Sequence, residues 1–407
     1  MGNCRYRQGR DSKIRSGCAA ERNDRAVQRK IGGNGIMNLF AGIIFSDSYS
    51  AETNLLAKNR TLASIPFCGR FRTVDFILSS LVNAGVDNVA VVTKRNYASL
   101  EDHLGGGRYW DLDHRSSGLR ILSPFYRTEN NNEVFLARGK LDALRSVSPY
   151  IKGLKEEYIV LTNSNIIASV DFERVFDFHI KGGADITAVY SGRCGSPGDL
   201  ELHLEGERVR EMTYIVEEDQ SVKNTSLGIY IMSRKLLLDI IRRADEHDHY
   251  SFEKYALIKN TSSLKILGFE HREFSGVVNT VKDYYNISMK MLDSDVRSQV
   301  FKSDSPVMTR VMDTVPVLYK YNASVENSLI ADGCRIDGTV KNSIIFRNVT
   351  IETGAVVENS IIMQNSVVGK NCGLGYVILD KNINVSENKY LCGAPEYPYV
   401  FVKNTRI

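Results

Sequence analysis

From Ala323 onward apolar residues recur every six positions: Ile330 and Ile336, then Ile345, Ile351 and Val357, then Ile362, Val368 and Leu374, with small and polar residues between them. A six-residue period fits neither the helix nor the strand repeat. It fits a left-handed parallel β-helix, in which each triangular coil spends about six residues per face and points one aliphatic side chain inward. Two short phase slips mark turns that are lengthened or cut, and Gly333, Gly338, Gly354 and Gly369 fall at turn positions. About five coils are expected over residues 320–407. A linker over residues 293–319, containing Pro306 and Pro316, precedes them.

Upstream, short β-rich runs alternate with helical stretches, as a parallel α/β sheet requires. Strands are expected at Phe40–Phe45, Val89–Thr93, Tyr158–Thr162, Ile186–Tyr190 and Ser226–Met232. Helices are expected at Phe76–Asn83, Val134–Tyr150, Arg234–Arg243 and, with Asp171 as N-cap, Phe172–Lys181. Residues 37–292 therefore read as a nucleotide-binding type of α/β domain. Such a domain followed by a hexapeptide β-helix is a restricted combination, used by sugar-nucleotide pyrophosphorylases and some acyltransferases. The acyltransferases commonly place a catalytic histidine in the coils, and this chain has none after His271.

Composition narrows the class. The 407-residue chain is 43% hydrophobic and 25% charged, which excludes wholesale disorder. No run approaches the roughly 20 apolar residues of a bilayer span, and no secretory signal core is present, so a cytoplasmic protein is expected. The net charge of +4 is concentrated in residues 1–36, where nine Lys/Arg face three Asp/Glu. This leader lacks interleaved aromatics and any nucleic-acid-binding pattern. It is expected to be disordered or not native, with Met37 as the biological start and neither nucleic acid nor membrane as partner. Seven cysteines without a CxxC pair speak against structural zinc and a disulfide framework. The one HxH, His247-Asp248-His249, lies in a charged stretch and reads as a solvated loop rather than a metal site.

Four motifs in order and at matching spacing carry a resemblance. Ile65–Ser80 (IPFCGRFRTVDFILSS) resembles the PFGGKYRIIDFxLSN stretch of ADP-glucose pyrophosphorylases, also called glucose-1-phosphate adenylyltransferases. Tyr109–Asp113 (YWDLD) is similar to that family's PWDLD, Thr225–Tyr230 (TSLGIY) to its ASMGIY, and Val340–Phe346 (VKNSIIF) to its TVENSVLF. The likeness runs from Met37 to about Asn388. It implies a Rossmann-like, GT-A-like nucleotidyltransferase domain ahead of the β-helix, a tetramer, and a place in bacterial glycogen synthesis. Members join glucose 1-phosphate to the α-phosphate of ATP and release pyrophosphate, chemistry that depends on positioning, magnesium held by carboxylates, and basic side chains.

Against that pattern the chain departs throughout the cleft. The family's GGxGxRL loop, whose glycines let backbone N–H groups close on phosphates, corresponds to Ser46-Asp47-Ser48-Tyr49-Ser50-Ala51. Its arginine position is Ala51, and Asp47 adds negative charge where a triphosphate should sit. The lysine of the next element, AKP, aligns with Leu62. The metal-binding aspartate of GDH becomes Asn165 in Ser164-Asn165-Ile166, and the second aspartate, in DVGTIxAY, aligns with Val277. The sugar-phosphate lysine of EEKP aligns with Ile215, and YxGTA becomes Ala137-Arg138-Gly139-Lys140-Leu141. Magnesium prefers charged hard oxygens; asparagine offers a neutral carbonyl and valine nothing.

This set of losses resembles the GlgD-type subunit of the family, which implies a regulatory chain with little or no activity alone. No catalytic residue and no bound metal are expected here, with magnesium instead at the active site of a partner. That partner is expected to be a catalytic adenylyltransferase subunit in a hetero-oligomer, with self-association of this chain alone a further expectation. Arg70 takes the basic position of PFGGK that the family associates with activator binding, and Arg72 stands two residues on. Arginine suits bidentate oxyanion contacts, so a sugar-phosphate or inorganic-anion effector is expected at this pair. The bland reading has both arginines paired with local carboxylates such as Asp75. Gly105-Gly106-Gly107-Arg108 reads as a surface loop before an anion nest. The alternative function is an active sugar-phosphate nucleotidyltransferase with a rewired site.

Overall fold

The computed structural model describes residues 39–47, 55–93, 95–114, 117–127, 134–217 and 221–407; the leader, Met37 and Ala51 lie outside them. The strand Phe40–Phe45 is buried along its whole length. Alternate residues serve opposite faces: Ala41, Ile43 and Phe45 join one core cluster, Phe40 and Ile44 the other. Covering both faces is what an apolar strand without polar alternation demands. Gly42 lets the helix Thr73–Asn83 approach, since a Cβ there would lie 2.9 Å from Leu81 Cδ1.

The nine-stranded sheet is mixed rather than wholly parallel. Gly118–Leu122, Asn88–Val92, Phe40–Phe45 and Tyr158–Asn163 run parallel in that spatial order. Val222–Ser233 then joins antiparallel, followed by Leu200–Glu205, Arg208–Tyr214, Ile266–Glu270 and Ile186–Cys194. The stretch 200–214 is a hairpin, which the strand-helix alternation did not reveal. The helix expected over Val134–Tyr150 is broken. Val134–Leu136 is a strand, and the helices Lys140–Ser146 and Ser148–Gly153 meet at Val147, because Pro149 starts a helix more readily than it continues one. The Phe172–Gly182 helix is capped as expected, with Asp171 accepting from the Arg174 N–H at 3.1 Å. The glycine run is a tight turn: Gly107 has φ 84° with no room for a Cβ against Leu112 and Leu119, and the turn seats buried Trp110.

The linker holds a helix of its own, Ser294–Val300, capped by Asp293. Beyond it lies a parallel β-helix of three five-stranded sheets, which makes five coils. Ile336, Ile351, Val368 and Val385 stack in register up its interior. Successive coils advance by 15 residues at Asn327 and Asn342 but by 17 at Asn348 and Asn365, so the phase slips are shortened turns. Turns repeatedly use asparagine at positive φ, including Asn348, Asn365 and Asn382, whose side-chain amides bond from one coil to the next. Asparagine tolerates that backbone better than other residues with a Cβ.

One sheet of the β-helix turns its outer face to the α/β domain. Ile344, Phe346, Ile361 and Ile378 pack with Phe67, Phe76 and Tyr284 in a third core cluster. Tyr284 donates to the Pro66 carbonyl at 2.8 Å and Tyr285 to the Asn359 carbonyl at 2.7 Å. The two domains therefore share a core. Among the described residues no helix is long and apolar enough to cross a membrane.

Candidate functional site

In an open α/β sheet, ligands bind beyond the carboxyl ends of the parallel strands. Here those ends are Phe45, Val92 and Asn163, with Phe45 and Asn163 in register. The chain continues from them into Ser46-Asp47 and Ser164-Asn165. Asp47 is spent locally, accepting from the Leu62 backbone N–H at 3.1 Å and from Ser46 Oγ at 2.8 Å.

Asn165 and Val277, distant in sequence, are brought together by a short antiparallel pairing of Ile166 with Val277. The buried Asn165 amide donates to the Val278 carbonyl at 3.0 Å and to Asn279 Oδ1 at 2.9 Å. Asn279 in turn donates to Asp199 Oδ1 at 3.2 Å, while Asp199 Oδ2 accepts from Arg193 at 2.9 Å and from the Ser196 N–H at 3.1 Å. Ile215 sits beside this chain of contacts. Its N–H donates to the Asp199 carbonyl at 2.9 Å, and its buried side chain lies over Gly195.

Asn165, Val277 and Ile215 thus lie along one connected set of groups, in which Arg193 and Asp199 form an ion pair while Asn163 Oδ1, Ser164 Oγ and Arg193 Nε are buried without partners. The donor set does not suit magnesium: Asn165 turns N–H groups toward its neighbours, and Val277 is aliphatic. Among the described residues no three His, Cys, Asp or Glu side chains gather as a metal site. Lys140, at the YxGTA element, is also committed. Its ammonium lies 2.5 Å from Glu253 and 5.4 Å from the centre of the Phe45 ring. Asp283 stays near the cleft but works on backbone, accepting from the Asn279 and Thr280 N–H groups; burial outweighs these bonds and raises its pKa.

The arginine pair is split by the structure. Arg70 is exposed and lies over the Phe71 ring, 4.9 Å from its centre, near Arg347 of the β-helix. Arg72 turns inward. Its backbone N–H donates to Asp75 at 2.9 Å, but its guanidinium goes to the Ser99 carbonyl and to Ser99 Oγ rather than to a carboxylate. Burial is the main force on it and pushes its pKa down to about 10, with Arg60 and Arg310 acting the same way.

Around Arg72 lies a group of cations at the junction of the two domains. Arg60 and Asp380 form an ion pair of 2.5 Å, each side chain 6% exposed, and Arg60 Nη1 is buried with no hydrogen-bond partner. Lys381 follows Asp380 directly. Burial, with Arg72 and Arg60 next in weight, pushes its amine down to about 7. Sequence reading found Arg72 and missed Arg60, Asp380 and Lys381. Arg60 and Asp380 are separated by 320 residues, and nothing in spacing or composition connects them.

Comparison with known proteins agrees with both halves of the molecule. Residues 56–197 match the nucleotidyl transferase family model, and residues 315–396 match the GlmU-like C-terminal hexapeptide model. The glycogen biosynthesis protein GlgD of Bacillus subtilis (strain 168) is 33% identical over 366 residues, covering 90% of this chain and 96% of the relative. That of Geobacillus stearothermophilus is 34% identical over 321 residues, covering 78% and 83%. The chain belongs to the GlgD branch of the ADP-glucose pyrophosphorylase family. A more distant relative, glucose-1-phosphate adenylyltransferase of Bacillus anthracis, is 25% identical over 354 residues, covering 85% and 91%.

GlgD membership places the chain in glycogen biosynthesis and gives the cleft a reference. Of the positions read as degenerate, Asn165 and Val277 lie beside one another and Ile215 bonds to Asp199 of the same set, while Ala51 lies outside the described residues. In His247-Asp248-His249, Asp248 is paired with Arg138 at 2.5 Å.

Proposed function

We propose that this chain is a non-catalytic, regulatory subunit of a cytosolic glucose-1-phosphate adenylyltransferase assembly, with its β-helix wound left-handed. A catalytic partner holds the magnesium and makes ADP-glucose from ATP and glucose 1-phosphate. This chain contributes contacts and an effector site for a sugar phosphate or inorganic oxyanion.

The observation that carries the reading is the Asn165 amide, committed to the Val278 carbonyl and Asn279 Oδ1, with Val277 beside it. A triphosphate in this cleft would find its charge unopposed, because Lys140 is already neutralised by Glu253 and the other cation positions hold Leu62 and Ile215. Phosphoryl transfer without charge neutralisation loses its main source of acceleration. The effector half of the proposal rests on the junction, where the Nη1 of buried Arg60 has no partner although its Nη2 pairs with Asp380.

The test is an assay of ADP-glucose formation with magnesium, by this chain alone, by a catalytic homologue alone, and by the two mixed. Expected are negligible turnover from this chain, co-elution of the mixture on size exclusion, and an altered KM or effector response. Turnover by this chain comparable to the homologue's would refute the catalytic half, and separate elution would remove the regulatory half.

A further inference from the structure

We propose that the groove along the helix Arg234–Glu246 binds a small amphiphilic anion, with an apolar body and one terminal oxyanion. The site stands apart from both the cleft and the domain junction. Between that helix and the consecutive helices Lys140–Ser146 and Ser148–Gly153 lies a cavity of about 780 Å³. Sites for small molecules span about 300–1,000 Å³. Ser233, which caps the helix, pairs with Tyr158 at the start of its strand, whereas the cleft lies beyond Asn163 at the other end. The two ends are about 17 Å apart along the strand.

The wall of the groove is apolar along its middle. Ile241 is buried there, and Leu236 and Leu238 are half-buried, packed against the larger core cluster of the α/β domain. The charges divide along its length. In the last turn of the helix Asp245 pairs with Arg145, and in the middle Asp239 pairs with Arg242 and Arg243 at 2.7 Å each. Both acids that line the groove are therefore neutralised. Lys235 stands in the first turn and Lys152 on the facing helix, both exposed, and among the described residues neither has a carboxylate within ion-pair distance. Ser233 Oγ already accepts from the Leu236 N–H at 3.1 Å and the Glu157 carbonyl from the Arg234 N–H at 2.7 Å. The lysines, not the backbone of the helix start, are what an oxyanion would meet.

Neither feature is enough alone. Exposed ion pairs are weak in water, so a bare inorganic anion would gain little from two solvated lysines. Methylene groups laid against Leu236, Leu238 and Ile241 supply what the pairs lack. From Lys235 to Asp245 the helix rises about 15 Å, room for a medium-length acyl chain with its carboxylate at the lysine end. Three aliphatic side chains are too few for an amphipathic helix, which needs a longer groove for anchors at i, i+3, i+4 and i+7.

The experiment is titration calorimetry of the full chain with octanoate at low salt, beside butyrate and 1-octanol. Expected is one octanoate bound per chain, an affinity that falls by up to ~4-fold for each methylene removed toward butyrate, and weaker binding of octanol. The double variant Lys152→Glu, Lys235→Glu should lose octanoate and gain octylammonium; both positions are exposed, so the fold should persist. Leu238→Asp should lose octanoate as well. Absence of saturable octanoate binding overturns the proposal. Undiminished octanoate affinity in the double variant places the acid elsewhere and also overturns it, as does butyrate or octanol binding as tightly as octanoate. None of these outcomes bears on the assay of ADP-glucose formation, because no residue of the cleft or the junction lines the groove.

Discussion

The cleft and the domain junction use their buried polar groups differently. In the cleft, the Asn165 amide, Asn279 and Asp199 bond in a chain, beside buried atoms of Asn163, Ser164 and Arg193 that have no partner. At the junction, a guanidinium nitrogen of Arg60 is buried without a partner. A protein interior tolerates neutral, mutually bonded groups cheaply and uncompensated charge poorly. The Asn165 amide is therefore spent on neutral acceptors, whereas Arg60 Nη1 remains a charged donor without an acceptor. If a single chain both made and regulated ADP-glucose, the contrast would be expected the other way round, with surplus charge held at the cleft.

The largest expected effect tests the junction. Asp380→Ala removes the carboxylate paired with Arg60, whose side chain is 6% exposed. Loss of one partner of a buried pair costs about 3–5 kcal/mol. Urea unfolding should show that loss, and adding Arg60→Met in the same chain should recover much of it, since an apolar side chain carries no desolvation penalty. If Asp380→Ala costs less than about 1 kcal/mol, the pair behaves as a surface pair and the contrast with the cleft collapses.

A smaller effect tests the cleft from the other side. Asn165→Asp would restore the family's carboxylate, but it would point oxygens at the Val278 carbonyl and Asn279 Oδ1, which both now accept from the amide. The expected cost is about 1–3 kcal/mol at neutral pH. Its pH dependence has a definite sign. The buried carboxyl next to two acceptors has a raised pKa, so the folded state binds more protons. The loss is therefore absent well below about pH 4 and grows as pH rises above it. The variant should form no ADP-glucose. A stable Asn165→Asp that gains magnesium-dependent activity would show that the cleft was one substitution from function.

The two regions were also unequally legible in the sequence. The coils of the β-helix could be read from Ile345, Ile351 and Val357 because one aliphatic per face is a local rule that repeats. The cleft was read only through the family motifs, which name Asn165 and Val277 without any local pattern; their meeting is a pairing of two short strands far apart in sequence. The junction was legible only at Arg72, which sits inside a motif. Arg60 and Asp380 meet because the outer face of one β-helix sheet is apolar enough to dock on the α/β domain, and such docking leaves no periodic trace. The hairpin over residues 200–214 escaped for a related reason. Glu201, His203 and Glu205 alternate with Leu200, Leu202 and Leu204, a strand pattern that strand-helix alternation passes over.

The smallest effect concerns acid. His103 Nε2 lies 2.6 Å from Asp75 Oδ1, yet burial outweighs that carboxylate and lowers the histidine's pKa, with Arg72 and Arg310 acting in the same direction. Asp75 is meanwhile occupied by the Arg72 N–H and by Thr309 of the linker. A histidine held neutral contributes stability that is complete above its unfolded pKa of about 6.5 and is lost as pH falls below it. Thermal unfolding followed from about pH 7.5 to about pH 5 should show a modest decline, and His103→Gln should flatten it. Because His103, Asp75 and Thr309 tie the linker to the helix Thr73–Asn83 behind Arg72, the same acid range should loosen the junction before the cleft. Hydrogen exchange that rose first around Asn165 and Val278, leaving the residues beside Arg72 protected, would reverse the order and place the weaker packing in the cleft.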